Sequence, residues 1–170
     1  MGLFGREKFE SLQDLLFHQL EDMYDAERRL TEALPEMKEA AHNTELKTAF
    51  ADHLRETQMH QERLDQVFRA LGSEPQSETC PAMQGLIKEA REMVRAEGDA
   101  GSCDAALIAA AQRIEHYEMA GYGTIRDLAQ QLGDQDTVKQ AQANLDEEKA
   151  ADEKLTELAQ RVNASAAKAG

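Results

Sequence analysis

The chain has 170 residues, 41% of them apolar, and its 33 Asp and Glu against 19 Lys and Arg give a formal charge of −14. That charge disfavours DNA, RNA and anionic lipid, whose phosphates draw their affinity from Lys and Arg. No window approaches the roughly 18 consecutive apolar residues of a membrane span, no apolar leader follows Met1, and Cys80 and Cys103 are too few for a disulfide scaffold, so one cytoplasmic domain over 1–170 is expected.

Ala, Leu, Glu and Gln dominate, with three prolines and no tryptophan, which favours helix throughout. The first segment runs from about 11 to 41, opened by the capping pattern Ser11-Leu-Gln-Asp14 and kinked near its end by Pro35. After a break at His42-Asn43-Thr44, a second helix is expected over about 45–71, stopped by Gly72-Ser-Glu-Pro75. Residues 72–103 form the one long connection, with a short helix near 83–96. The third long helix covers about 104–132, and Gly133-Asp134 turns the chain into a fourth over about 136–162. The residues from Asn163 to Gly170 are expected to be a frayed, disordered tail.

The two hairpins repeat at an offset of 91 positions, the spacing from Glu27 to Glu118. That shift sets Met23 on Ile114, Leu34 on Ile125, Glu56 on Glu147, Arg63 on Lys154 and Leu64 on Leu155. One register serves both helices of each hairpin. Two alike hairpins joined by a long crossover predict an all-α, ferritin-like four-helix bundle.

At about 100° per residue, several ionisable side chains fall on the core-facing stripes. Glu27 lies roughly 20° from the centre of the first stripe, Glu118 about 10° and Glu115 about 70° from that of the third. Glu148 and Asp152 each sit about 20° off centre on the fourth, whereas Glu147, roughly 120° away, is expected in water. On the second helix His53 is near the centre, His60 about 20° and Glu56 about 60° from it. Folding each hairpin about its turn brings these groups to one height.

A lone acid on an apolar stripe is ordinarily an edge residue or a helix-to-helix hydrogen bond. Acids from four helices at one level are a different matter, because ionised carboxylates in low dielectric must be neutralised, paired or metal-bound. No Lys or Arg occupies these core lines, and carboxylate-plus-histidine ligation suits iron or manganese in a dinuclear site. His53 and His60 are each a ligand or a satisfied core histidine. Tyr122, one turn beyond Glu118, is a hydrogen-bond donor behind the ligands or simple packing. His18 and His116 face away. Cys80 and Cys103 bracket the crossover helix and are expected as reduced thiols, the alternative being a bridge closing that loop.

The stretches Leu20-Glu-Asp-Met-Tyr-Asp-Ala-Glu27, His53-Leu-Arg-Glu-Thr57, Asp104-Ala-Ala-Leu-Ile-Ala-Ala-Ala-Gln112, Glu115-His-Tyr-Glu118, Tyr122-Gly-Thr124 and Glu147-Glu-Lys-Ala-Ala-Asp-Glu-Lys-Leu155 resemble the YciE/YciF bacterial stress-protein family over about residues 9–162. The resemblance implies a ferritin-like fold, a homodimer, a role under stress and ferroxidase-like chemistry. Glu115-x-x-Glu118 is similar to the paired acids of rubrerythrins, and Glu27 and Glu118 match the first- and third-helix acids of ferritin-like dinuclear sites. Departures are visible too. The usual Glu-x-x-His is missing, since Met59 follows Glu56 at that spacing, and the fourth helix has no histidine.

Two functions are therefore expected to compete. One is a dinuclear, mainly iron, protein that oxidises Fe²⁺ with oxygen or peroxide, its ligands drawn from Glu27, His53, Glu56, His60, Glu115, Glu118, Glu148 and Asp152. The other is a metal-free helical dimer acting as a stress-related interaction or scaffold protein. Ile87 and Val94 are candidates for the dimer face.

Overall fold

The computed structural model describes residues 8–169. Five helices follow in order: α1 Leu12–Ala40, α2 Thr44–Ala70, α3 Pro81–Val94, α4 Ala100–Leu132 and α5 Gln135–Ala169. The described residues contain no strand, and no helix among them is long and apolar enough to cross a membrane.

Each helix begins where the sequence supplies a cap. The Ser11 hydroxyl accepts from Asp14 N–H at 3.1 Å while the Asp14 carboxylate accepts from Ser11 N–H at 3.0 Å, a reciprocal box. Asn43 caps α2 through the N–H groups of Glu45 and Leu46. Asp99 caps α4, and the Asp134 carboxylate accepts from Thr137 N–H at 3.0 Å at the start of α5. Gly133 ends α4 in the left-handed region, at φ 78°, where a side chain would strain the backbone. The helix α1 continues through Pro35 to Ala40, the ring removing one hydrogen-bond donor without ending the helix.

The helices α1 and α2 pack as one hairpin and α4 and α5 as the other, with α1 against α4 and α2 against α5 closing the bundle. Asp104, in the first turns of α4, is 3% exposed and accepts from His42 N–H at 2.7 Å and Asn43 N–H at 2.8 Å. The start of α4 thus lies at the α1–α2 turn, and α4 runs antiparallel to α1. The crossover must carry the chain back along the bundle, and α3 packs on α1 and α4 as it does so. Buried Asp25 fastens this segment: it accepts from Cys80 N–H at 2.9 Å while Arg28 and Arg29 neutralise its charge. Both cysteines are free. This is the all-α, ferritin-like four-helix bundle that the repeat predicts.

Boundaries differ from expectation at three places. The helix α4 starts at Ala100, because Asp99 caps it ahead of Asp104, and α3 spans 81–94 because Cys80 and Pro81 open it. Helix α5 continues to Ala169, so the expected frayed tail is helical as far as that residue, and Gly170 lies outside the described residues. Alanine-rich sequence favours helix there, and Ala166 packs so tightly on the first turn of α4 that a Cβ on Gly101 would sit 3.0 Å from its Cβ.

The apolar core comes in two clusters. One, towards the α1–α2 turn, contains Leu30, Leu34, Met37, Phe50, Leu107, Ile114 and Leu155. The other, towards the opposite end, contains Leu16, Leu20, Met23, Leu64, Phe68, Tyr122, Ile125 and Leu145. Between them α1, α2, α4 and α5 contribute Glu27, His53, His60, Glu115, Glu118 and Glu148, all buried.

Near this layer α1 and α4 approach closely: a Cβ on Gly121 would lie 2.3 Å from Met23 Sδ, whereas one on Gly123 would meet nothing within 4 Å. Gly121→Ala must therefore displace a packed methionine and is expected to lower stability by about 1–3 kcal/mol. Gly123→Ala is expected to be neutral or to stabilise by up to about 1 kcal/mol. Urea melts of the two variants check the contrast.

Candidate metal centre

Four helices place the polar layer through the periodicity that builds the core. Glu27 follows Met23 and precedes Leu30 on the stripe of α1, and Glu115 and Glu118 lie between Ile114 and Tyr122 on α4. Two turns of α2 separate His53 from His60, and α5 contributes Glu148 between Leu145 and Leu155.

The groups fall into two sets joined at Glu148. In the first, His53 Nε2 is 3.3 Å from Glu115 Oε1 and 3.8 Å from Glu148 Oε2, and Glu118 completes the set. In the second, His60 Nδ1 lies 3.1 Å from Glu27 Oε1 and 2.9 Å from Glu148 Oε1, the latter off the line of a hydrogen bond. Within each set one ligand atom per residue lies within 4.8 Å of all the others. Two oxygen or nitrogen donors on one ion are at most about 4.2 Å apart, so small side-chain rotations bring each set to bonding distance.

Both Glu118 oxygens, both Glu148 oxygens, Glu27 Oε2, Glu115 Oε2 and His53 Nε2 are buried without an aligned hydrogen-bond partner. Buried polar atoms are ordinarily satisfied, and seven of the nine orphaned ones among the described residues belong to the two sets, the others being Thr57 Oγ1 and Asp65 Oδ1. The residues present therefore fit two cations sharing Glu148. Four carboxylates and two neutral imidazoles balance two divalent ions in charge as well as in donor type.

Without ions, the layer's charge is redistributed. Burial, and then the charge of neighbouring Glu148, push the Glu118 carboxyl well above the ordinary range, and burial does the same to Glu115 against the opposing pull of His53. Glu148 is raised by burial although His60 opposes it. For His60, burial alone lowers the pKa, but the Glu27 charge, the hydrogen bond to Glu147 and the nearby Glu148 carboxylate outweigh it and push it up to about 12. Tyr122 donates its hydroxyl proton to Glu27 and, buried, rises well above the usual phenol range. Its ring meets that of His60 edge-on at 5.8 Å.

Two expected ligands stand apart. Asp152 lies outside both sets, accepting from Gln112 Nε2 at 3.0 Å and lying 3.4 Å from exposed His116. One turn past Glu148, it faces the flank of α4 rather than the centre. Glu56 is 36% exposed and contacts His53 Nδ1 at 3.4 Å from the rim. Beside it a cleft of about 420 Å³, walled by Phe50, Met59, Ala150 and Leu155, leads from the surface to His53 and Glu115.

One residue overturns its expected place. Glu147 is only 31% exposed: it reaches α2, where it lies 2.9 Å from His60 Nε2 and accepts from Arg63 Nη1 at 2.6 Å and Nη2 at 2.9 Å. Burial alone would raise its pKa, but the hydrogen bonds from His60 and Arg63 lower it to about 2. Helical angle treats α5 as a cylinder in water, whereas α2 covers that flank. The repeat carried a usable signal, because Glu147 is the counterpart of Glu56, which backs the other histidine.

The chain matches the family model described as "Domain of unknown function (DUF892)" over residues 11–168. It is 45% identical over 151 residues to Protein YciF of Escherichia coli (strain K12), covering 88% of this chain and 91% of that protein. The crystal structure of the E. coli stress protein YciF superposes with a TM-score of 0.88 at 44% identity, over 91% of this chain and 98% of the other. YcfI from Rhodopseudomonas palustris gives 0.86 at 48% identity, over 90% and 98%. A protein from Xanthomonas campestris pv. campestris, 19% identical with a TM-score of 0.72 over 91% and 94%, shares the fold. The same chain thus carries the motifs, the helical bundle and a family match over nearly its full length: it belongs to the YciE/YciF family of bacterial stress proteins.

Proposed function

We propose that this chain is a dinuclear metal protein, with iron as the ion and manganese as the alternative, that oxidises Fe²⁺ with oxygen or peroxide in stress defence. One observation carries the reading: Glu118, fully buried with neither oxygen hydrogen-bonded, stands in a layer whose other orphaned atoms, Thr57 Oγ1 apart, belong to the two histidine–carboxylate sets. Glu148 would be shared between the ions. His53, Glu115 and Glu118 would hold one, and Glu27 and His60 the other. Such a centre supplies redox chemistry that side chains lack.

The chain's own residues set the conditions for it. Tyr122 holds a proton on the Glu27 carboxylate, and the two apolar clusters exclude water above and below. The cleft beside Glu56 offers Fe²⁺ and small oxidants a route to the His53 end. The name of the E. coli relative, a stress protein, supports the physiological setting. A cytoplasmic homodimer belongs to the same proposal.

A second reading, the metal-free helical dimer acting as a stress-related scaffold, draws on the protons the layer retains by itself, on His60 and on the raised carboxyls. It requires that chelator leave the melting temperature unchanged.

Anaerobic addition of Fe²⁺ is expected to load about two ions per chain and, on admitting oxygen or peroxide, to give an absorbance that Glu27→Ala with Glu118→Ala abolishes. Metal analysis finding fewer than about 0.2 ions per chain would sink the proposal, a dinuclear centre requiring about two.

Stability should depend on pH in a defined sense. With the folded Glu115, Glu118 and Glu148 carboxyls above 4.5, the unfolded chain ionises first as pH rises, so it binds fewer protons and folding weakens. This contribution is fully favourable below pH 4.5 and is lost as pH climbs through the folded values. In chelator, Glu118→Gln should match the parent near pH 4.5 and exceed it by about 1–3 kcal/mol at about pH 8. Metal should reverse the order. Urea melts at the two pH values, with and without Zn²⁺, decide it.

A further inference from the structure

We infer that Glu147, gripped by Arg63, is a positioning residue that fixes the His60 ring with Nε2–H turned outward and the Nδ1 lone pair turned into the metal layer. This rests on the dinuclear reading and deepens it. Neutral imidazole has one proton for two nitrogens, so the acceptor that claims it decides which nitrogen can ligate. Both His60 nitrogens face carboxylates: Nδ1 lies 3.1 Å from Glu27 Oε1 and 2.9 Å from Glu148 Oε1, and Nε2 lies 2.9 Å from Glu147 Oε2.

These acceptors are not equivalent. Arg63 holds both Glu147 oxygens, at 2.6 and 2.9 Å, and also donates to Asn144 Oδ1 at 2.7 Å. A carboxylate anchored at both oxygens by a permanent cation keeps its charge and place when ions draw Glu27 and Glu148 inward. The proton then stays on Nε2 and Nδ1 is free to ligate, the arrangement in which an outer carboxylate orients a histidine ligand.

His53, two turns earlier on α2, is used the other way round. Its Nδ1 faces Glu56 at 3.4 Å, and its Nε2 faces Glu115 and Glu148. Glu56 and Glu147 are counterparts in the repeat, so one ancestral position backs both histidines. Their grip differs: Glu56 sits at the cleft, 36% exposed, with no Lys or Arg ion-paired to it among the described residues, whereas Glu147 is bound to Arg63. The two ions are expected to be held unequally, the one at His60 more firmly.

The test compares the full chain with Glu147→Gln and Glu56→Gln, using Zn²⁺ as a diamagnetic probe in calorimetric titrations and nitrogen-detected NMR of the histidine rings. The parent is expected to bind two Zn²⁺, with His60 protonated on Nε2 alone in the loaded form. A glutamine amide donates as well as accepts, so in Glu147→Gln His60 is expected to lose its single tautomer and one binding event to weaken about 10- to 100-fold. Glu56→Gln is expected to weaken the other event, by less. Two Zn²⁺ bound by Glu147→Gln with parental affinities, or loaded parent protein with the His60 proton on Nδ1, would overturn the inference alone. A lower melting temperature with unchanged affinities would mark Glu147 as merely structural and overturn it too. A parent that binds no Zn²⁺ would overturn the dinuclear reading, and this inference with it.

Discussion

The cost of removing carboxylates from water governs this molecule. Four long helices could close over a continuous apolar core, yet the core divides into two clusters, and the division falls where Glu27, Glu115, Glu118 and Glu148 project inward. Each is buried, and the pair on α4 holds protons well above the usual carboxyl range. A fold that sought only stability would place leucine at these positions, since apolar replacements of buried charge are often neutral or favourable. The surrounding features follow from keeping this layer in place. Gly121 lets α1 and α4 approach beside it, Tyr122 satisfies one Glu27 oxygen, and Arg63 brings the nearest permanent cation only as far as the flank.

The crossover has its own answer to the same cost. Asp25 and Asp104 are also buried acids, but each is satisfied locally, by Arg28, Arg29 and Cys80 N–H in one case and by two N–H groups of the α1–α2 turn in the other. Their oxygens are committed to holding the chain path. Glu118 and Glu148 have no such commitments. The contrast separates acids that fasten the fold from acids whose valence faces only one another.

Much of this was legible in the sequence, and the reasons differ by residue. Periodicity found the four long helices because an amphipathic helix repeats its apolar stripe many times, and small phase errors average out. It placed Glu27, Glu118 and Glu148 because they lie near stripe centres, where only the core can receive them. It failed for Glu147 because a flank residue's surroundings depend on which neighbouring helix leans over it. It failed for Asp152, as near the stripe centre as Glu148, because one turn further along α5 it meets Gln112 and His116 of α4, which a single helix does not encode. Asp25 is not legible because its partner, Cys80 N–H, lies 55 positions away on the crossover. The end of α5 is not legible either, because alanine-rich sequence frays when alone but stays helical when packed on the first turn of α4.

The internal repeat explains part of the layer's acids and none of its nitrogen, since the counterparts of Glu115 and Glu148 are Tyr24 and Thr57. Glu27 and Glu118 are counterparts, as are Glu56 and Glu147, so a duplicated hairpin accounts for an acid facing the core from α1 and α4 and an outer acid on α2 and α5. Both histidines, however, stand on α2, where the counterparts of His53 and His60 on α5 are Asn144 and Ala151. Asn144 now accepts from Arg63, which in turn holds Glu147 on His60. The position that could have carried a third imidazole instead anchors the partner of the second. With no histidine on α5, the shared group between the two sets is a carboxylate, Glu148, and four carboxylates against two imidazoles make a hard, oxygen-rich environment. Such a donor set neutralises two divalent ions with nothing left over, whereas a single ion leaves two negative charges buried. The charge balance therefore favours filling both positions over filling one.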